Sequence, residues 1–176
     1  EKQEKLRNLK IIFIGTSNFA VPALQKLKEN NFNIISVITQ PDKPIGRKKI
    51  LTPPPIKNKA LEYNLPVLQP TQISEFTERI KQLNPDLIVM VSYGQIIPKE
   101  IIDIPNYGTL NIHPSILPKY RGSSPIQSAI LNQDKQTGVT VMLVDEKMDH
   151  GPILSTKRVK TYNRDYSTLH NELAEL

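Results

Sequence analysis

Residues able to move protons or to hold a developing negative charge cluster in the second half of the chain. Asn111 and His113 lie two apart at the end of the apolar, β-prone run 109–112, so on a strand they project from one face. Three carboxylates, Asp145, Glu146 and Asp149, follow a second β-prone run at 138–144. An amide donor, an imidazole and a carboxylate suit proton transfer combined with stabilisation of an oxyanion. A carboxylate beside the ring would stabilise its protonated form. Spacing alone does not choose among the three acids. For His113 the competing assignment is a strand-end histidine bonded to nearby backbone. His150 reads as a turn residue ahead of Gly151, and His170 as a surface residue of a terminal helix. The chain has no nucleophile elbow and no His/carboxylate spacing for a metal cage, so metal chemistry is not expected.

A polar pair at the carboxyl end of a strand belongs to an open parallel sheet, and the rest of the sequence reads accordingly. The β-branched run 9–15 is a buried first strand. Ser17 or Asn18 can cap a helix over 19–28, and 34–39 is a second buried strand. That βαβ opening predicts parallel strands with a right-handed crossover. The first turn, Gly15-Thr16-Ser17-Asn18-Phe19-Ala20, has one glycine where a dinucleotide fingerprint needs three, so no nucleotide is expected there. Further elements are expected as a helix over 56–63, a short strand at 66–69, a helix over 74–83, a strand at 87–91 and a short helix at 96–101. Ser123-Ser124-Pro125 should open a helix running to 132. An edge strand at 153–160 and an amphipathic helix over 168–176 complete the pattern. The fold class expected is α/β, with a Rossmann-like, mostly parallel sheet and helices on both faces.

The length of 176 residues fits one domain, with 1–8 expected as a disordered tail. Cysteine is absent, which excludes disulfides and thiolate metal sites. The longest apolar runs are far too short to span a bilayer, and the opening EKQEKLRNLK has no apolar signal core. The expectation is a monomer in the bacterial cytoplasm, with an organelle matrix as the alternative. The net charge of +6 is uneven, because residues 1–60 hold 12 Lys/Arg against 4 Asp/Glu. Such asymmetry points to a polyanionic partner; the alternative is a Lys-rich solvated surface. Its focus is the stretch 40–55, QPDKPIGRKKILTPPP, where prolines and Gly46 are expected to prevent a regular element. Lys43, Arg47, Lys48 and Lys49 load that stretch with charge.

The string Asn111-x-His113-Pro114-Ser115-Ile116-Leu117-Pro118-Lys119-Tyr120-Arg121-Gly122, with Pro125-Ile126-Gln127 behind it, resembles the signature of the folate-dependent formyltransferases. Gly138-Val139-Thr140 through Met148-Asp149-x-Gly151 is similar to the segment that carries the family's catalytic aspartate, and Ser92-Tyr93-Gly94 with Ile97-Pro98 also fits. The resemblance implies Asn111, His113 and Asp149 as the catalytic set. It implies 10-formyltetrahydrofolate as formyl donor, held near Ser115, Ile116, Leu117 and Pro118. The pterin edge would be read by backbone around Val91 and Tyr93 and around Val141, Leu143 and Asp145. The basic stretch resembles the branch of the family that acts on initiator Met-tRNA. This implies tRNA contacts from Lys43, Arg47, Lys48 and Lys49, with Arg47 foremost, and a formyl acceptor that is the α-amine of methionine on that tRNA, serving translation initiation. Arg47 runs directly into Lys48 and Lys49, where the family often has an intervening glycine. The first turn also lacks the family's usual proline and acidic residue. Family members carry a C-terminal β-barrel domain, which lies outside this sequence. The rival assignments are a formyltransferase for a small amine and a catalytically silent RNA-binding module.

Overall fold

The computed structural model describes residues 1–147 and 149–176. Met148, part of the aspartate-bearing motif, lies outside the described residues. The chain forms two compact units, 1–109 and 110–176.

The first unit opens with α1 (Lys2–Arg7), which buries none of its residues. β1 (Ile11–Gly15) follows, buried at every position. Its isoleucines and Phe13 leave water on both faces, each side chain contributing on the order of 2 kcal/mol. A 3-10 turn at Asn18–Ala20 leads into α2 (Val21–Glu29). Ser17 precedes that turn, but its hydroxyl meets the Ser92 hydroxyl at 2.5 Å instead of capping the helix. β2 (Ile34–Ile38) returns parallel to β1, as the βαβ pattern predicts.

The next segment departs from expectation. Residues 40–55 are not irregular: β3 (Lys43–Ile45) and β4 (Ile50–Thr52) pair antiparallel as a two-stranded ribbon, with Pro44 opposite Leu51. A proline is tolerated there because each strand of an isolated ribbon has an unpaired side, where a missing N–H costs no ladder bond. Gly46 and Lys49, both at positive φ, turn the tip, and Lys49 N donates to Gly46 O at 3.1 Å.

α3 (Pro55–Glu62), the two-residue β5 (Val67–Leu68), α4 (Thr77–Leu83), β6 (Leu87–Val91) and α5 (Lys99–Ile102) complete this unit. β5 and β6 flank β2 and β1, so the parallel sheet runs β5-β2-β1-β6. Gly15 ends β1 where a Cβ would stand 2.7 Å from the Val91 carbonyl oxygen. The glycine there lets the ends of β1 and β6 pack closely.

The second unit is built on three antiparallel strands. β7 (Thr109–His113) enters it from Leu110 onward. α6 (Pro125–Leu131) follows, then β8 (Gln136–Leu143), β9 (Ile153–Lys160) and α7 (Tyr166–Glu175). β8 lies between β7 and β9, with His113 opposite Thr140 and Val141 flanked by Ile112 and Ser155. β9 is largely exposed along its length. Asp165, not a residue of the expected 168–176 span, caps α7 by accepting from Thr168 N at 2.8 Å. Leu169 and Leu173, four apart on one face of α7, are buried there.

Candidate active site

β7 delivers Asn111 and His113 to one face, as their spacing requires, and His113 is buried at the strand end. Asp149 comes from the loop after β8, and its Oδ1 lies 3.4 Å from Asn111 Nδ2 and 3.6 Å from His113 Nδ1. The side chains of His113 and Asp149 are only 7% and 8% exposed, so the pair meets in a medium that screens charge weakly. Asp145 and Glu146, the rivals by spacing, do not join them. Asp145 is bound within its own loop, accepting from Lys147 N at 2.8 Å and facing His150 Nδ1 at 3.2 Å. Those bonds, the Lys147 amide first, hold the Asp145 carboxyl below the usual carboxylate range. Glu146 is exposed.

Asp149 is fixed at both its side chain and its backbone. Gly122 N donates to its Oδ2 at 2.8 Å, and Arg121 Nε donates to its carbonyl at 3.0 Å. The residue itself sits at φ +51°, a left-handed conformation that such bonds must sustain. His113 is fixed from its other side by the Tyr120 carbonyl, 2.8 Å from Nε2. A carbonyl only accepts, so Nε2 is the nitrogen that donates in this bond, and Nδ1 is the one that faces Asp149. Bonding to nearby backbone, the competing assignment for His113, is thus realised together with placement beside Asn111 and Asp149.

The segment after His113 is pinned from β8. Thr140 Oγ1 donates to Ser115 O at 2.7 Å and accepts from Leu117 N at 3.2 Å. The Ser115 hydroxyl is committed to Lys119 O at 2.7 Å, and the residue is fully buried. Leu117 is buried as well, whereas Ile116 is partly exposed and Pro118 exposed. Of these four residues, Ile116 and Pro118 offer surface to a ligand. Val141 is enclosed between two strands, and Leu143 N donates to Pro152 O at 2.9 Å.

Val91 and Tyr93 belong to the first unit. Val91 is buried in the β1–β6 ladder opposite Gly15. The Tyr93 carbonyl accepts from Thr16 Oγ1 at 2.7 Å. Its ring is buried, with no hydrogen-bond partner for the hydroxyl among the described residues, and burial pushes the phenol up to about 12.

Lys43, Arg47, Lys48 and Lys49 all project from the β3–β4 ribbon into solvent. Ile45, Ile50 and Leu51 on the same ribbon are each at least 60% exposed. The foot of the ribbon is tied down by Asp42, which accepts from Gln69 Nε2 at 2.7 Å and from Lys57 Nζ at 3.0 Å. Those bonds, Gln69 first, hold the Asp42 carboxyl below its ordinary value. Among the described residues no group of three or more His, Cys, Asp or Glu could hold a metal ion. None of their helices is long and apolar enough to cross a membrane.

Sequence reasoning passed over Tyr120, Arg121, Gly122 and Thr140 as site-building residues. The signal for the first three was present in the compact basic turn Lys119-Tyr120-Arg121-Gly122. Thr140 becomes visible only once β7 and β8 are in register.

The molecule is thus an α/β protein with an amide, an imidazole and a carboxylate gathered beyond a strand end. Residues 9–176 match the formyl transferase family, and the chain belongs to that family. It is 50% identical over 171 residues to the methionyl-tRNA formyltransferase of Caldicellulosiruptor saccharolyticus, covering 94% of this chain and 55% of the relative. The methionyl-tRNA formyltransferase of Bacillus subtilis is 46% identical over 168 residues, covering 94% and 53%. The chain therefore spans about half the length of the curated relatives it matches. Among solved structures, phosphoribosylglycinamide formyltransferase from Bacillus halodurans superimposes with a TM-score of 0.75 at 22% identity, covering 93% of this chain and 87% of that one. The glycinamide ribonucleotide transformylase 1 of Symbiobacterium toebii gives 0.76 at 20% identity, covering 94% and 80%. These likenesses show the shared fold.

Proposed function

We propose that this chain transfers the formyl group of 10-formyltetrahydrofolate to the α-amine of methionine on initiator Met-tRNA, so that translation starts from a blocked amino group. The observation that carries this reading is that Asp149 Oδ1 faces both Asn111 Nδ2 and His113 Nδ1, at 3.4 and 3.6 Å. The donor set fits such a substrate. Ile116 and Pro118 offer apolar surface for a flat heterocycle, and backbone toward Asp145 suits its alternating donors and acceptors.

When bound, the folate supplies an electrophilic formyl carbon. Asn111 Nδ2 has two N–H groups; one is turned to Asp149, and the other, with no partner among the described residues, can donate to the formyl oxygen as negative charge builds there. His113 Nδ1 accepts the proton released by the attacking amine, because Nε2 is already occupied toward Tyr120. Asp149 stabilises the resulting imidazolium, and the proton returns to the departing nitrogen. None of these residues needs to bond covalently to substrate.

Acceptor choice rests on the ribbon. Arg47 can fork onto phosphates or stack on a base, and the lysines add a salt-sensitive attraction to the RNA backbone. A formyltransferase for a small amine has no use for an exposed basic ribbon. The same reading puts the enzyme in the bacterial cytoplasm as a monomer.

The test supplies the protein with 10-formyltetrahydrofolate and either charged initiator tRNA or small amines. Formylated Met-tRNA that His113→Ala abolishes is the expected result. Product with small amines alone would overturn the tRNA assignment.

A further inference from the structure

Asp134 stands outside the site and is used by none of the steps above. It lies beyond α6, fixed by its own amide donating to Ala129 O at 3.0 Å and by its carbonyl accepting from Thr161 Oγ1. Its two carboxylate oxygens grip consecutive residues of the turn that follows the strand. Oδ1 takes Lys119 Nζ at 2.8 Å, and Oδ2 takes the Tyr120 hydroxyl at 2.7 Å. The Lys119 ammonium also lies 5.0 Å from the Tyr120 ring centroid. Tyr120 is held at φ +55°, a conformation an aromatic residue keeps only where the surroundings over-determine it. That backbone conformation aims its carbonyl at His113 Nε2.

We infer that Asp134, gripping Lys119 and Tyr120, is a positioning residue that sets the tautomer of His113. The inference rests on the reading of His113 as the proton acceptor, and it adds which nitrogen accepts and what makes it so. Two acceptors compete for the ring proton. The Tyr120 carbonyl at 2.8 Å is within hydrogen-bond reach, and the Asp149 carboxylate at 3.6 Å is not. While the grip holds, the proton stays on Nε2 and Nδ1 is an open base beside Asp149. If the turn relaxes, the carbonyl swings away and the carboxylate becomes the better partner. The proton then moves to Nδ1 and blocks the atom that must receive one. Lys119→Arg keeps the charge and should keep the arrangement.

Ring nitrogen NMR of the histidine-labelled protein reads this directly, without either substrate. His150→Gln and His170→Gln assign the signals, because the chain has three histidines. In neutral His113 the proton is expected on Nε2 in the wild type and in Lys119→Arg. It is expected to move predominantly to Nδ1 in Asp134→Ala and in Tyr120→Phe, which removes a single oxygen. Turnover should fall at least tenfold in those two variants while the KM for folate stays within twofold. A wild-type proton on Nδ1, or an unchanged tautomer in Tyr120→Phe, overturns the inference whatever the formylation assay shows. An unchanged tautomer with no formylation by any variant would instead count against both readings, and the expected tautomers with no Met-tRNA product against the function alone.

Discussion

The Gly122 amide donates to Asp149 Oδ2 at 2.8 Å and thereby decides which oxygen of that carboxylate faces His113. An asparagine at 149 can keep its carbonyl oxygen on the same amide and turn its NH2 toward the ring, preserving shape while removing charge. Asp149→Asn should therefore fold as the wild type does, by circular dichroism and thermal melting. Its turnover should fall by about 10²–10⁴, the range for losing support of a proton-transferring group. A loss below tenfold would remove Asp149 from the chemistry.

The ribbon makes a separate prediction about ionic strength. If Lys43, Arg47, Lys48 and Lys49 neutralise phosphates, the logarithm of tRNA affinity falls linearly with the logarithm of salt. Removing one phosphate-neutralising cation should lower that slope by about 0.7–0.9. Arg47→Ala should flatten it by that amount and leave folate binding unchanged. An equal loss of folate affinity would make the ribbon a structural element.

Acid should loosen the turn gripped by Asp134. The bond to Lys119, and then that to Tyr120, holds the Asp134 carboxyl below its ordinary value of 3.8. A carboxyl depressed in the folded state contributes its full stabilisation above the unfolded value and loses it as pH falls through the folded one. Urea titrations of wild type and Asp134→Asn should thus differ by a constant amount above about pH 5 and converge below pH 3.8. Asp42, Asp145 and Asp165 are shifted the same way, so the difference between the two proteins, and not the acid limb itself, isolates Asp134. A gap that widens on acidification would contradict the assignment.

Gly151 admits no side chain, because a Cβ there would overlap the Leu143 carbonyl oxygen. The obstacle is backbone in a ladder strand and cannot swing aside. Gly151→Ala should cost about 1–3 kcal/mol in chemical denaturation. Since Asp149 is two residues away, activity should fall further than the lost stability explains. A variant as stable as wild type would mean that the loop after β8 shifts freely.

Some of this was legible in the chain and some was not. The strand spans 87–91 and 153–160 match the structure end for end: the first is an unbroken apolar run, and the second alternates as an edge strand does. The facing of Asn111 and His113 followed from the period of a strand alone. The ribbon at 43–52 was missed because proline and glycine argue against strands in general, whereas a two-stranded ribbon has room for Pro44 at its free side. Spacing could not separate Asp149 from Asp145. What separates them is bonding: Lys147 N and His150 engage Asp145 inside its own loop, while Gly122 and Arg121 hold Asp149 toward β7. Bonds between residues 27 and 28 positions apart leave no periodic trace in a sequence.

β9 has a consequence for how the protein behaves in concentrated solution. Among the described residues it has one ladder partner, β8, and its other side is open. Lys157, Arg158 and Lys160 stand exposed along it, with Ile153 and Leu154 half-exposed at its start. Such charge keeps an open edge from recruiting a strand of a second copy. Its reach shrinks from about 10 Å at 0.1 M salt to about 3 Å at 1 M. Salt at about 1 M therefore strips the edge of its guard, and the protein should cloud more readily in brine than in dilute buffer.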